Sequence, residues 1–348
     1  MHELNTGDAP LGPGSVSVIL PVRNEERHIG ECIESVRRQS FTGPMEILVA
    51  DGRSSDRTRE IVAGIAAVDG RVRLVDNPGG IVPTGMNAAI REAKSEFIVR
   101  VDGHAEIPSD YVESVIACFR RSPGDCVGGR MDARGDGYWG RVIARITSHP
   151  FGVGGSRFHY SERAGETDTV YLGAWRRATL LRIGMFDERF VRNQDDELNY
   201  RLRGLGGKVW YDPAIHASYV NRSSLKKLFS QYRQYGFWKV RLYRKHPKLF
   251  HLRHAAPAAF VALALAGIGV GVILSAARLI GPAAAGALIL GLPALHLAVG
   301  LLSAVAGGWP VGEALGAPVA FLVVHAAYGT GFWQGILDAV FRPRSFRP

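Results

Sequence analysis

Residues 97–104 read FIVRVDGH, a run of apolar and β-branched residues that ends in Asp102-Gly103-His104. The first five residues have the composition of a buried strand. Asp102 and His104 are one residue apart, so both side chains can face one cleft at the end of that strand. A carboxylate with an imidazole favours Mn²⁺ or a related divalent ion. Taken alone, the pair is a weak pattern that fits an ordinary loop better than a metal site, so its interpretation depends on the elements around it.

Strand-like and helix-like segments alternate on the N-terminal side of this run. Strands are predicted over 16–22, 46–50, 72–75 and 97–101, and helices over 25–39, 84–93 and 109–121, with a further helix starting at Ser55 or Asp56. This alternation is typical of an α/β fold with a parallel, doubly wound sheet. Ligands of such sheets bind outside the carboxyl ends of the strands. Asp51 and Asp102 both follow such ends.

Asp51 ends the second predicted strand and is followed by Gly52. A carboxylate at this position can accept hydrogen bonds from ribose hydroxyls or from the N–H of a base, which suits a nucleotide. The alternative is an ordinary turn aspartate.

An acidic run, Asn193-Gln194-Asp195-Asp196-Glu197, precedes a predicted helix near 195–205. Acids at this point can simply complement the helix dipole. In the functional interpretation, one of them accepts the proton of an attacking hydroxyl. A single general base without a covalent intermediate predicts inversion at the reacting carbon. The periodicity does not show which acid would act.

The net charge of +10 is concentrated between residues 222 and 253, where ten Lys and Arg residues occur without any Asp or Glu. A solvated helical face and a nucleic-acid patch are two interpretations of such a segment. Because an apolar span follows directly, attraction to an anionic membrane surface is favoured, and we expect no nucleic-acid partner.

Three apolar spans follow, near 255–277, 281–306 and 311–337, each close to the length that crosses a bilayer. Three crossings would put the basic residues Arg342, Arg344 and Arg347 outside, against the positive-inside tendency, so the course of the last span stays open. The expected organisation is a disordered segment (1–14), a catalytic domain (15–221), basic amphipathic interfacial helices (222–254) and a transmembrane region (255–348). Three scattered cysteines and the absence of a signal-peptide pattern predict a cytoplasmic catalytic domain at the inner membrane.

Five segments taken in order resemble the motifs of family-2 glycosyltransferases of the GT-A fold, and within them the ExoA-like subgroup of succinoglycan biosynthesis. They are 18–25 (VILPVRNE), 51–56 (DGRSSD), 85–89 (GMNAA), 102–104 (DGH) and 194–201 (QDDELNYR). The resemblance covers about residues 15–245. It implies a Rossmann-like, mainly parallel sheet flanked by helices, here followed by a C-terminal α-helical transmembrane region.

The resemblance also implies roles for individual residues. It assigns the general base to Asp195 and a divalent metal, Mn²⁺ or Mg²⁺, to Asp102 and His104. The expected substrate-binding residues are Pro21, Arg23, Asn24, Glu25, Asp51, Asn87, Arg100, Asp102, Gln194, Asp196 and Arg201. Two departures stand out, because His104 replaces the second Asp of the metal motif and Gln194 replaces the Glu before the base. Residues 231–238 do not fit the Q-x-x-R-W spacing of processive synthases, which favours addition of a single sugar.

The sequence therefore predicts an inverting, membrane-bound glycosyltransferase. It would move a sugar, with glucose from UDP-glucose as the first candidate, onto a lipid-linked acceptor in exopolysaccharide or surface-glycan synthesis. Direct transfer to a polyprenyl phosphate is one alternative. A catalytically inactive, nucleotide-binding membrane scaffold is an alternative of another class. A transporter is disfavoured because the apolar spans contain few ionisable residues.

Overall fold

The computed structural model describes residues 10–342. Most of the predicted disordered segment 1–14, and Arg344 and Arg347 of the basic tail, lie outside the described residues. The described chain forms two compact units. The first unit contains residues 10–132 and 156–220, and the second unit contains residues 133–155 and 221–342.

The first unit is built on a mixed sheet. Its strands are β1 (Val16–Val22), β2 (Met45–Asp51), β3 (Val72–Asp76), β4 (Phe97–Arg100), β5 (Cys126–Arg134), β6 (Gly165–Glu166), β7 (Tyr171–Arg176) and β8 (Val209–Val220). They lie in the order β3-β2-β1-β4-β7-β5-β8-β6. Pairings β3–β2, β2–β1 and β1–β4 are parallel, whereas β4–β7, β7–β5 and β8–β6 are antiparallel. The α/β class is confirmed, but the sheet is parallel only in its first half.

Helices connect and flank these strands. In chain order they are α1 (Ile29–Arg37), α2 (Thr58–Val68), α3 (Val82–Glu92), α4 (Tyr111–Arg121), α5 (Gly137–Ile146), α6 (Pro150–Val153), α7 (Arg177–Arg182), α8 (Gln194–Gly204), α9 (Leu225–Lys245), α10 (Leu252–Ala276), α11 (Pro282–Ala306) and α12 (Val311–Phe341). The N-terminal strands are buried on both faces because helices cover both sides of the sheet. Along β1, Val18 and Leu20 face one core cluster and Ile19 faces the other. This alternation fixes the register of β1.

Residues 133–155 differ from the prediction, which placed them in the catalytic domain and read the segment 124–168 as partly loop. They include α5 and α6 and belong to the second unit. The physical reason is the apolar face of α5, where Val142, Ile143 and Ile146 pack into one cluster with Phe321 of α12.

The second unit holds the apolar helices. Within residues 10–342, three helices (α10, α11 and α12) are long and apolar enough to cross a membrane. Most of the basic segment before them, Leu225–Lys245, forms one continuous helix, α9. Helices α9 and α12 approach closely at glycines: a Cβ on Gly236 would lie 2.0 Å from the Tyr328 carbonyl oxygen, and one on Gly331 would lie 1.9 Å from that of Arg233. Small residues permit such backbone approach.

Candidate active site

The carboxyl ends of β1, β2 and β4 lie at one edge of the sheet because these strands are parallel neighbours. The loop 23–25 follows β1, Asp51 ends β2, and the loop 102–104 follows β4. Most of the predicted site residues are therefore brought to one edge by topology. The acidic start of α8 joins them through an ion pair that is described below.

The loop after β1 is fastened to the loop after β2. Asn24 has φ 56°, a left-handed conformation that Asn tolerates better than most residues. The Asn24 Oδ1 accepts a hydrogen bond from the Ser55 amide (2.8 Å), and the Asn24 amide donates to the Ser54 hydroxyl (2.9 Å). Arg23 donates to the Gly80 carbonyl at 3.1 Å. These contacts give Asn24 a positioning function. Pro21 is the residue before the last one of β1, and Glu25 lies in the loop that follows.

Asp51 is fully buried, and only one of its two carboxylate oxygens has a hydrogen-bond partner in the described chain. Its Oδ2 accepts from the Arg59 guanidinium (2.8 Å) and from the Ser54 amide (3.2 Å). Its Oδ1 is buried and has no hydrogen-bond partner among residues 10–342. Buried polar atoms are nearly always hydrogen-bonded, so an unpaired acceptor at a strand end suits a ligand donor. A ribose hydroxyl or a base N–H would supply it.

Arg100 links the two acids on which the predicted chemistry depends. Its Nε donates to Asp102 Oδ1 and its Nη1 donates to Asp195 Oδ1, both at 2.7 Å. The arginine is 7% exposed. Burial disfavours its charge, but the two carboxylates outweigh this and raise the pKa of Arg100. The guanidinium is therefore a permanent cation shared between Asp102 and Asp195.

Asp195 lies in the first turn of α8, after Asn193 in the left-handed conformation (φ 59°). Burial raises the pKa of the Asp195 carboxyl, Arg100 opposes this, and the negative charges of Asp102 and Asp196 add to the increase. Because 34% of its side-chain surface remains exposed, a substrate hydroxyl can reach the carboxylate. A carboxylate with a raised pKa is a better proton acceptor for general base catalysis.

Gly103, between Asp102 and His104, lies close to the end of β1. A Cβ at Gly103 would lie 2.7 Å from a methyl carbon of Val22, so the close approach to β1 requires glycine. The His104 Nδ1 is 3.1 Å from Glu25 Oε1. In the described chain, no group of three His, Cys, Asp or Glu side chains forms a metal site. A carboxylate and an imidazole still fit a divalent ion that completes its coordination with substrate phosphates and water.

Two other predicted residues, Asn87 and Arg201, bind neighbouring parts of the protein. Both polar atoms of the Asn87 amide bind the backbone of Phe186, and its nitrogen also donates to Glu188 (2.8 Å). Arg201 binds Glu197 and the carbonyl oxygens of Ile183 and Met185. These contacts use the functional groups of Asn87 and Arg201 for loop positioning and do not support direct substrate contact. Gln194 is buried and Asp196 is half-buried at the start of α8.

Known proteins resemble this chain over most of its length. Residues 17–190 match Glycosyl transferase family 2. The succinoglycan biosynthesis protein ExoA of Rhizobium meliloti is 31% identical, over 94% of this chain and 96% of its own length. The chain belongs to glycosyl transferase family 2. It is therefore a glycosyltransferase, and its ExoA-like character, expected from the motifs, is confirmed.

Two further relatives extend the comparison with this glycosyltransferase. A dolichyl N-acetyl-α-D-glucosaminyl phosphate 3-β-D-2,3-diacetamido-2,3-dideoxy-β-D-glucuronosyltransferase of Methanococcus voltae is 27% identical, over 74% of this chain and 83% of its own length. The mannosyltransferase PcManGT of Pyrobaculum calidifontis, solved with GDP-Man and Mn²⁺, aligns with a TM-score of 0.57 at 17% identity, over 95% of this chain and 88% of its own. The latter similarity supports the GT-A fold.

Arg59, the partner of the buried Asp51 carboxylate in this glycosyltransferase, was not predicted from the sequence. Its position in the first turn of α2, directly after the loop that follows Asp51, was the available signal. Glu188 was also not predicted, because its contact with Asn87 is not visible in the sequence. Glu197 belongs to the acidic run that was considered for the base, but it is buried and paired with Arg201.

Proposed function

We propose that this glycosyltransferase inverts configuration and moves a hexose from a nucleoside-diphosphate sugar, with UDP-glucose as the first candidate, to a lipid-linked acceptor. The proposal rests on the two salt bridges of Arg100. Its guanidinium pairs with Asp102 on the donor side and with Asp195, the candidate base. Similarity to a succinoglycan biosynthesis protein supports synthesis of an exopolysaccharide or related glycan. The GDP-Man and Mn²⁺ bound to PcManGT support a nucleotide-sugar donor and a divalent ion.

In the proposed reaction, Asp195 accepts the proton of the acceptor hydroxyl. The hydroxyl oxygen bonds to the anomeric carbon while the bond from that carbon to the diphosphate breaks on the opposite face. One displacement inverts the configuration, and the nucleoside diphosphate leaves with the bonding electrons. Arg100 holds Asp195 in place, and positioning of this kind supplies much of the rate enhancement of group transfer.

Asp102 and His104 would hold the divalent ion, and Glu25 would orient the His104 ring. When bound, the ion supplies positive charge that neutralises the departing diphosphate. Asp51 would bind the ribose or the base through its unpaired oxygen. Arg23 and Asn24 would shape the nucleotide side by fixing the loops around Gly80 and Ser55.

The first test is Asp195→Asn in the full-length protein, after donors have been screened with Mn²⁺ and Mg²⁺ for release of the nucleoside diphosphate. Loss of the base should lower sugar transfer at least about 100-fold while donor affinity is retained. The control is Asp168→Asn, because Asp168 pairs with Arg203 near the surface, with half of its side chain exposed. Undiminished transfer by Asp195→Asn would contradict the assignment of the base. Retention of the donor's anomeric configuration in the product would contradict inversion.

We further propose that the phosphate of the lipid acceptor is bound by basic residues of the second unit. Helix α9 presents Lys226, Lys227 and Arg233, and Arg233 also lines a groove of about 500 Å³ with Phe237 and Leu337. Cationic and apolar side chains together suit the phosphate and first isoprene units of a polyprenyl lipid.

Charge reversal at Lys226, Lys227 and Arg233 should raise the KM for the lipid acceptor at least about tenfold, since each basic residue contributes about 1 kcal/mol at an anionic surface. Donor affinity should stay unchanged. Replacing the same three residues with Gln gives the matched control for loss of charge alone. Equal weakening of donor and acceptor use would contradict this site.

Two alternatives remain to be separated by assay. Comparison of polyprenyl phosphate with a polyprenyl-diphosphate-linked sugar identifies the acceptor. A protein that binds UDP without turning over any donor would be the inactive scaffold. We place the active site on the cytoplasmic side of the inner membrane, because nucleotide sugars and the basic helix α9 both favour that side.

A further inference from the structure

Strand β7 begins next to the loop that carries Asp102. The antiparallel pairing of β4 with β7 ends at Val99 opposite Ala174, so the chain before Ala174 leads towards the residues after β4. Tyr171 is the first residue of β7, and Leu172 has φ 44°. The pairing of β7 with β5 also shifts register here. Bulges of this kind often redirect a side chain next to an active site.

The Tyr171 hydroxyl is buried and has no hydrogen-bond partner in the described part of the chain. Burial raises the pKa of Tyr171, and the nearby charge of Asp102 raises it further. The hydroxyl therefore stays protonated at neutral pH and can donate a hydrogen bond. An unpaired buried hydroxyl costs free energy in the folded protein, so it calls for a partner that the chain does not supply.

Aromatic side chains extend from Tyr171 to His104. The rings of Tyr171 and Tyr219 are 6.1 Å apart, and those of Tyr219 and His104 are also 6.1 Å apart. Phe158 stacks behind Tyr171 at 6.5 Å. The end of β8 that carries Tyr219 is fixed to the loop after Asp102, because the Ser218 amide donates to the Glu106 carbonyl at 3.0 Å.

The order of the strands separates this aromatic wall from the nucleotide side. Asp51 ends β2, and β1 and β4 lie between β2 and β7. Three spacings between strands correspond to about 14 Å along the sheet edge. A base or ribose at Asp51 and a diphosphate near Asp102 would leave the next position along the edge, beside β7, for a sugar.

We propose that Tyr171 and Tyr219 form the binding wall for a pyranose ring next to Asp102 and His104. The inference rests on the proposed function and adds the place of the sugar. A pyranose presents C–H groups to an aromatic face and hydroxyls to its rim, which matches amphipathic tyrosines. The Tyr171 hydroxyl donates to a sugar oxygen, and the ring is either that of the donor or that of the acceptor.

The test compares Tyr171→Phe and Tyr219→Leu with the full-length wild type for affinity for UDP, affinity for UDP-glucose, and the KM of the acceptor. Tyr171→Phe should weaken sugar binding about fivefold to tenfold, the effect of one lost hydrogen bond. Its melting temperature should not fall, because the hydroxyl has no protein partner to lose. Tyr211→Phe is the control. Its hydroxyl donates to the Ser161 carbonyl, so this variant should melt earlier with sugar binding unchanged.

Weaker binding of UDP-glucose with UDP unchanged would assign the wall to the donor sugar. An increased acceptor KM with both nucleotide affinities unchanged would assign it to the acceptor sugar. All three quantities within twofold of the wild type in both variants would overturn the inference, as would equal weakening of UDP. A wild type that releases no nucleoside diphosphate from any donor would overturn the proposed function itself, and the inference with it.

Discussion

Arg100 is the residue on which the electrostatics of the site depend, because it is the cation that opposes burial in setting the pKa of Asp195. Removing it leaves burial, Asp102 and Asp196 to raise that pKa further. A base with a higher pKa stays protonated to a higher pH. The acid limb of the pH–rate profile should therefore move upward in Arg100→Gln.

This prediction is checked by measuring kcat between about pH 5 and 8 for Arg100→Gln and Arg100→Lys. The lysine variant keeps one positive charge but loses the two-sided hydrogen bonding of the guanidinium, so its shift should be smaller. A lower kcat with an unmoved acid limb in both variants would mean that Arg100 only supports the fold.

At the scale of elements, the first half of the sheet could be predicted because β1, β2 and β4 are mainly apolar runs buried on both faces. The antiparallel half could not. Strand β5 contains Gly128 and Gly129, and a Cβ on Gly129 would lie 1.6 Å from the Ile215 carbonyl oxygen. Glycines needed for close contact between strands look like loop residues in a sequence. The close contact with β8, and not the local β propensity of the residues, makes this segment a strand.

The packing of α9 on α12 gives a prediction about stability. Gly331→Ala places a methyl group against the backbone of Arg233, which cannot move aside as a side chain can. Overpacking of this kind costs about 1–3 kcal/mol. Thermal unfolding of the detergent-solubilised protein should show the loss. Gly312→Ala, also in α12, is the matched control, because in the described structure nothing lies within 4 Å of its added Cβ. Equal melting temperatures for the two variants would refute close helix packing.

At the scale of the whole molecule, the main residues of the candidate site could be predicted from the sequence, but the contacts between them could not. Asp51, Asp102 and Asp195 follow from strand ends and motif order. The contact of Arg100 with Asp195 joins residues 95 positions apart, and no periodicity reveals it. The same holds for Asn87 and Arg201, whose functional groups bind loops instead of facing a substrate.

Contacts within the second unit predict whether α12 crosses the membrane, a question that the sequence left open. Helix α9 carries seven Lys and Arg residues and cannot cross a bilayer, yet α12 packs along it from Tyr328 to Asp338. Asp338 pairs with Arg241 of α9, and Glu313 pairs with Arg141 and Arg145 of α5. These ion pairs at both ends of α12 should keep the helix at the same membrane surface as α9. We therefore expect α10 and α11 alone to cross.

A reporter enzyme fused after residue 348, active only outside the cytoplasm, checks this topology. Two crossings predict an inactive fusion at the C-terminus and an active fusion in the 277–281 loop between α10 and α11. That arrangement also satisfies the positive-inside tendency for Arg342. Activity of the C-terminal fusion would show a third crossing.

A cation shared by two carboxylates makes the order of substrate binding matter. While the donor site is empty, Arg100 divides its charge between Asp102 and Asp195. Once Asp102 engages a donor, more of that charge acts on Asp195 and favours its ionised form. The enzyme should then follow an ordered sequential scheme in which the nucleotide sugar binds first, so that the base becomes competent only when there is a sugar to transfer.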